Sequence, residues 1–201
     1  MQAKRLIMLC AVFMLLCTAT VVADSMWGSY NGYDKAKVFV NGSELQENGV
    51  PAIIMNGSTL LPLRQVANSL NAVVKWDNDK KTASLYKPDV HMFIAEEVGK
   101  NYSLKNPFSI VDYGITRSFD VFAQIDNLKT NVSSVKITIV SPTGETVGSV
   151  EDTLSDSSES FWYTAHYKLK FAEKGNYTVN FAIIDGDNIE TIVSKKNILS
   201  E

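Results

Sequence analysis

Between Asn56 and Trp76 the chain reads NGSTLLPLRQVANSLNAVVKW, and this order of turn, strand, helix and strand leaves few folds open to the residues around it. Asn56-Gly57 supplies two successive positive φ angles, which is what a tight hairpin turn requires. Leu60 and Leu61 run into Pro62, which can open a helix because the first turn leaves its amides unpaired anyway. Leu63, Val66, Ala67 and Leu70 recur at i, i+3, i+4 and i+7 and predict one apolar stripe, with Arg64, Gln65, Asn68 and Ser69 on the wet face. Asn71 stands where a left-handed residue ends a helix, a place glycine usually fills. So short a helix is unstable alone, and its stripe must lie on a sheet.

Strand patterns surround that helix. Lys37-Val38-Phe39-Val40 alternates, Asn41-Gly42 turns, and residues 43–46 can return. Asn48-Gly49-Val50-Pro51 turns again and leads through residues 52–55 to the Asn56-Gly57 hairpin. After the helix, residues 72–76 and 82–86 are strands joined by a turn at 77–80. Residues 35–88 are therefore expected to form a small α+β domain of antiparallel strands plus one short helix.

These positions carry a family resemblance. Val38, Val40, Asn41 and Gly42, then Val50-Pro51, Asn56-Gly57, Leu61-Pro62-Leu63-Arg64, Val66-Ala67 and Leu70, and finally Val74, Trp76 and Asp77, resemble the copper amine oxidase N-terminal-like (stalk) domain of exported bacterial proteins. The likeness covers residues 36–86 and departs at Asn71, where the family usually has glycine. It implies a module without catalytic residues. The oxidase chemistry behind the family name needs three copper-binding histidines and a tyrosine in a T-x-x-N-Y context. This chain has only His91 and His166, and neither Asn101-Tyr102 nor Asn176-Tyr177 has threonine three residues before the asparagine. No cofactor is expected.

The first residues stand apart from any fold. Lys4 and Arg5 precede an apolar run over residues 6–16, and small residues follow up to Ala23. This is the pattern of a signal peptide, residues 1–23, with Ala19 as the alternative cleavage position. The run is well short of the roughly 20 apolar residues that a spanning helix needs, so no membrane insertion is expected after cleavage. Lipid attachment at Cys17 is disfavoured by the bulky leucine before it. Cleavage after Ala23 removes both cysteines, Cys10 and Cys17, and with them any disulfide or thiolate metal site. It also removes Lys4 and Arg5, which takes the formal charge from −3 to about −5. Such a balance offers nothing to nucleic acid or to an anionic membrane. Residues 24–34, DSMWGSYNGYD, lack periodicity and are expected to be a flexible tether.

Lys87-Pro88-Asp89 marks the expected boundary to a second domain, residues 89–201. A domain of about 50 residues buries little surface, so the first is expected to pack on the second or on a partner. The second is nearly all strand, with β-rich runs at 91–95, 108–111, 118–126, 134–140, 161–171, 176–184 and 189–198. About seven strands in this length predict an all-β Ig-like sandwich. Gly175-Asn176-Tyr177-Thr178-Val179 is similar to the tyrosine-corner strand of immunoglobulin-like and PKD-type domains, which speaks to architecture and not to ligand.

Candidate sites are few. On the 161–171 strand, Phe161, Tyr163, Ala165, Tyr167, Leu169 and Phe171 share one face, and Trp162, Thr164, His166, Lys168 and Lys170 share the other. Trp162 and His166 are the candidate ligand-binding residues, for a sugar or a peptide. The competing reading is cross-strand packing on a solvated face. Residues 152–159, DTLSDSSE, could hold calcium but lack the spaced ligands and glycine of an EF-type loop, so a solvated hairpin tip is expected. Asp77-Asn78-Asp79 and Asp185-Gly186-Asp187 are expected to be turn residues rather than metal ligands. No G-x-S-x-G, H-E-x-x-H, phosphate-cradling loop or dinucleotide fingerprint is present.

The expectation is a secreted, extracellular or cell-wall-associated protein that binds or scaffolds a partner protein or cell-wall glycan, without enzymatic activity. The alternative is a hydrolase or metal-dependent enzyme with its site in the second domain.

Overall fold

The computed structural model describes residues 26–155 and 158–201; the expected signal peptide lies outside them. In chain order the elements are β1 (Ser29–Tyr30), β2 (Tyr33–Lys35), β3 (Phe39–Val40), β4 (Ser43–Glu44), β5 (Ile53–Met55), β6 (Ser58–Leu60), α1 (Leu63–Ser69), β7 (Val73–Asp77), β8 (Thr82–Tyr86), β9 (Asp89–Val98), β10 (Leu104–Pro107), β11 (Ile110–Val111), β12 (Thr116–Asp126), β13 (Ser134–Val140), β14 (Thr146–Thr153), β15 (Phe161–Lys170), β16 (Gly175–Ile184) and β17 (Glu190–Ser200). They fall into two compact units. One holds the described residues up to Val38 with Gly49–Leu61, and the other holds Phe39–Asn48 with Pro62–Glu201.

The first unit is a small antiparallel sheet in the order β1-β2-β5-β6. Asn56-Gly57 joins β5 to β6 with φ of 51° and 77°, as its dipeptide predicts. Asn31-Gly32 joins β1 to β2 in the same way, with φ of 50° and 82°. Residues 24–34, expected as a tether, are thus corrected over their described part to a hairpin end. Asp34 and Lys35 pair with Ile54 and Ile53. Tyr30-Asn31-Gly32-Tyr33 carries the local signal for this, a positive-φ pair between aromatic strand ends.

In the second unit, β3 and β4 pair across Asn41-Gly42. The helix α1 starts after Pro62 and stops where Asn71 takes a φ of 56°. The Ala72 amide closes the end by donating to the Ala67 carbonyl at 2.9 Å. The apolar stripe is narrower than its pattern predicts. Ala67 is buried and Val66 half-buried, whereas Leu63 and Leu70 stay exposed. Seven residues make less than two turns, so only the middle of the stripe reaches the body beneath.

The β7–β8 hairpin follows, and Val73 belongs to the same apolar cluster as the strands after it, with Tyr86 packed against that cluster. The expected linker is reduced to Lys87 and Pro88, between β8 and β9, and lies inside the second unit.

From β9 onward the chain is a two-sheet β-sandwich. One sheet has the order β10-β9-β12-β15, and the other has the order β11-β17-β16-β13-β14, with only β11 and β17 parallel. Phe119, Val121, Ala123, Ile125, Ala165 and Tyr167 of the first sheet meet Val135, Ile137, Ile139, Val179, Phe181 and Ile183 of the second. Tyr167 ties the sheets together by donating its hydroxyl proton to the Ile137 carbonyl at 2.8 Å. Tyr177, fully buried, accepts a hydrogen bond at its hydroxyl from the Glu173 amide at 2.9 Å, which is the tyrosine corner anticipated from the sequence. Two strands, β10 and β14, lie outside the runs predicted as strand. Both sit at sheet edges and are mostly exposed, so neither has a strong apolar alternation to read. Among the described residues no helix is long and apolar enough to cross a membrane.

Candidate functional site

The alternation of β15 is borne out residue by residue. Ala165, Tyr167 and Leu169 are buried, Phe161 and Tyr163 are half-buried, and Trp162, Thr164, His166, Lys168 and Lys170 face outward. Because β12 pairs with β15 in the register Gln124↔Trp162, Phe122↔Thr164 and Asp120↔His166, the outward residues of the two strands form one surface.

Trp162 does not stand alone on that surface. The Tyr102 ring lies edge-on to it at 4.1 Å between centroids, and Phe122 lies 5.7 Å from Tyr102 and 6.1 Å from Trp162. Tyr102 comes from the turn between β9 and β10, which places it with a φ of 56°. Phe122 is buried under the other two rings, while Trp162 and Tyr102 remain about half exposed, at 49% and 47%. An aromatic pair supported from below is held in place yet keeps a free apolar surface.

His166 lies farther along the same strand, with its side chain 67% exposed, and its Nδ1 is 2.8 Å from Asp120 Oδ1. The other Asp120 oxygen accepts the Val98 amide at 2.8 Å. Asp120 thus fixes both the imidazole and the start of the turn that carries Tyr102. Asp120 and His166 are two of the three members of a hydrolytic triad, but among the described residues no serine or threonine hydroxyl bonds to the His166 ring. The structure therefore places Trp162 and His166 on one surface, each with its own partner. Sequence reasoning missed Tyr102, Phe122 and Asp120. The alternation Ser118, Asp120, Phe122, Gln124 on β12 was the available signal, since those residues must share the outer face.

The acidic stretches serve local structure. Asp77 Oδ1 accepts the Asp79 and Lys80 amides at 3.0 and 2.9 Å, and Asp185 Oδ1 accepts the Asp187 and Ile189 amides at 2.9 and 3.0 Å, so both are turn residues as expected. Residues 156 and 157 of the 152–159 stretch lie outside the described residues; in the rest of it the Tyr163 hydroxyl donates to Asp152 Oδ2 at 2.6 Å, and Lys129 pairs with Glu159. Burial first, and then that bond to Asp152, raises the Tyr163 hydroxyl far above its usual value, so it remains a proton donor. Among the described residues no three His, Cys, Asp or Glu side chains gather as a metal site.

Two packed sheets, a tyrosine corner and a surface aromatic cluster define a β-sandwich protein preceded by short hairpins and one helix. The copper amine oxidase N-terminal domain family matches residues 39–138, about half of the chain, and the chain carries a domain of that family there. The match runs past the anticipated 36–86 and takes in β9 to β12 and most of β13. No curated protein matches the sequence. Among solved structures, the chain is similar to the CARDB domain of a Pyrococcus furiosus protein in complex with di-metal ions, at 14% identity, with 57% of this chain and 90% of that one covered and a TM-score of 0.33. It is also similar to an immunoglobulin-like protein of Pseudomonas aeruginosa, at 13% identity, with 65% and 98% covered and a TM-score of 0.29.

Proposed function

We propose that this is a secreted, non-enzymatic binding or scaffolding protein of the bacterial cell envelope or extracellular space, whose outer β12–β15 surface recognises a cell-wall glycan or a partner protein. In this reading residues 35–88 act as an α+β stalk module and residues 89–201 as the ligand-carrying Ig-like sandwich. The observation that carries it is the half-exposed Trp162–Tyr102 pair seated on Phe122. A flat indole fixed from below suits the C–H face of a sugar ring and equally suits an apolar side chain of a protein. Exposed aromatic clusters of this kind are where binding energy concentrates. The family match supports the reading, because the module it names is of a non-catalytic type.

The test is co-sedimentation of the protein lacking residues 1–23 with purified insoluble cell-wall glycan, beside capture of envelope proteins on the immobilised protein. Trp162→Ala is expected to weaken whichever interaction is found, with no substrate turned over. Equal binding by Trp162→Ala and wild type would reject this surface. Catalytic turnover that depends on His166 would reject the non-enzymatic reading.

A further inference from the structure

A second candidate site lies within the second unit, between the β3–β4 segment and the polar face of α1. It is a cleft of about 460 Å³ open to solvent. Asn41, Gln46, Asn48, Gln65 and Asn68 line it, so carboxamides dominate its polar lining, beside two serines and Glu44. Turn geometry accounts for Asn41, whose φ is 51°, and Asn48 stands beside a turn glycine, Gly49, whose φ is 94°. Neither explanation reaches Gln46, Gln65 or Asn68. Gln65 is bound into the wall, since its Nε2 donates to the Asn48 carbonyl and ties α1 to the facing loop. Val40 and Leu45, both half-buried, add apolar surface to the same cleft.

The chemistry of this lining selects a class of ligand. Each carboxamide offers two donor hydrogens and one acceptor oxygen, which matches hydroxyl and acetamido groups that both donate and accept. The apolar patch beside them suits the C–H face of a pyranose. Among the described residues no lysine, arginine or histidine lines the cleft, and the one ionisable side chain is Glu44. A phosphate, sulfate or carboxylate would find no basic side chain among those lining residues.

We propose that the carboxamide cleft between residues 41–48 and the Gln65–Asn68 face of α1 binds an uncharged saccharide. The site is separate from the aromatic surface of β12 and β15, and its ligand does not depend on what that surface recognises.

The test uses the protein lacking residues 1–23, labelled for side-chain amide NMR and titrated with the trisaccharides of N-acetylglucosamine and of glucose. Saturable shifts of the Gln46, Gln65 and Asn68 side-chain amides with at least one of the two are expected. Asn68→Ala should weaken that binding at least tenfold. Alanine is the better helix former at this exposed position, so the melting temperature should hold or rise, and lost affinity then reports the site rather than the fold. Trp162→Ala should leave the titration unchanged. Absence of saturation by both sugars, an unaltered affinity in Asn68→Ala, or shifts confined to residues around Trp162 would each overturn the proposal. Failure of the Trp162 surface in the cell-wall assay would leave these amide shifts in place, so the two readings fail separately.

Discussion

Lys75 Nζ lies 2.7 Å from Asp185 Oδ2, joining the β7–β8 hairpin to the turn between β16 and β17 across 110 residues of sequence. The Asp185 side chain is 5% exposed and also accepts the Asp187 and Ile189 amides, so one carboxylate organises a turn and anchors a hairpin. Burial works to raise its pKa, but the hydrogen bond from Lys75 and the two amides outweigh it and hold the carboxyl below its ordinary 3.8. A carboxyl whose folded value is depressed contributes stability that is present above its unfolded value and is lost as pH falls through the folded one.

Asp185→Ala removes every one of those bonds. It should cost about 3 kcal/mol, since hydrogen bonds to a buried charge are worth about 1.5–3 each and the amides are left short of partners. Asp185→Asn can keep the amide bonds but loses the charge. Its urea-unfolding free energy should therefore fall less steeply than that of wild type below about pH 4. Parallel pH slopes would show that the carboxylate does not carry this contribution.

The tyrosine corner gives a second expectation. Gly175 has a φ of 123°, and a Cβ placed there would meet Pro142 at 3.2 Å. Gly175→Ala should thus destabilise by about 1–3 kcal/mol, the usual range for a side chain forced into such backbone. Tyr177→Phe leaves the Glu173 amide without its partner and should cost about 1–2 kcal/mol. Equilibrium denaturation measures both, and an unchanged midpoint in either variant would contradict the assignment.

At the end of α1 the expectation is asymmetric. Asn71 already occupies the left-handed region with a φ of 56°, so Asn71→Gly should alter stability by no more than about 0.5 kcal/mol in either direction. Asn71→Val, with a branched Cβ, should cost more than about 1 kcal/mol. Thermal melts of the pair would show whether the cap matters, and equal melting temperatures would show that it does not.

Sequence legibility followed the strength of local constraint. Asn56-Gly57, Asn71 and the Tyr177 corner could be read because each residue answers a backbone demand within a few positions. The two faces of β15 could be read because ten residues alternate without interruption. The β1–β2 hairpin was obscured by lying where a tether was expected, although Asn31-Gly32 carries the same turn chemistry as Asn56-Gly57. Edge strand β14 was obscured because Gly148 and its exposed neighbours leave little apolar rhythm. At the candidate site, Trp162 and His166 were visible from alternation alone. Tyr102, Phe122 and Asp120 were not, because the register that joins β12 to β15 and the turn that brings Tyr102 back are long-range facts.

The exposed indole of Trp162 is the centre of the functional reading, and it can report on itself. The chain has three tryptophans, so Trp27→Phe with Trp76→Phe leaves Trp162 as the sole tryptophan, which can be excited selectively over the tyrosines. Removing Trp162 itself should cost only about 1 kcal/mol or less, the scale of one aromatic pair at a half-exposed position, so binding and folding can be separated. The deciding measurement is acrylamide quenching of that single tryptophan, with and without saturating cell-wall glycan or the captured envelope protein. Protection of Trp162 on addition of the ligand, lost when Tyr102 is also changed to Ala, is the expected result. Quenching that stays the same while the ligand is demonstrably bound would place recognition elsewhere and contradict the assignment of this surface.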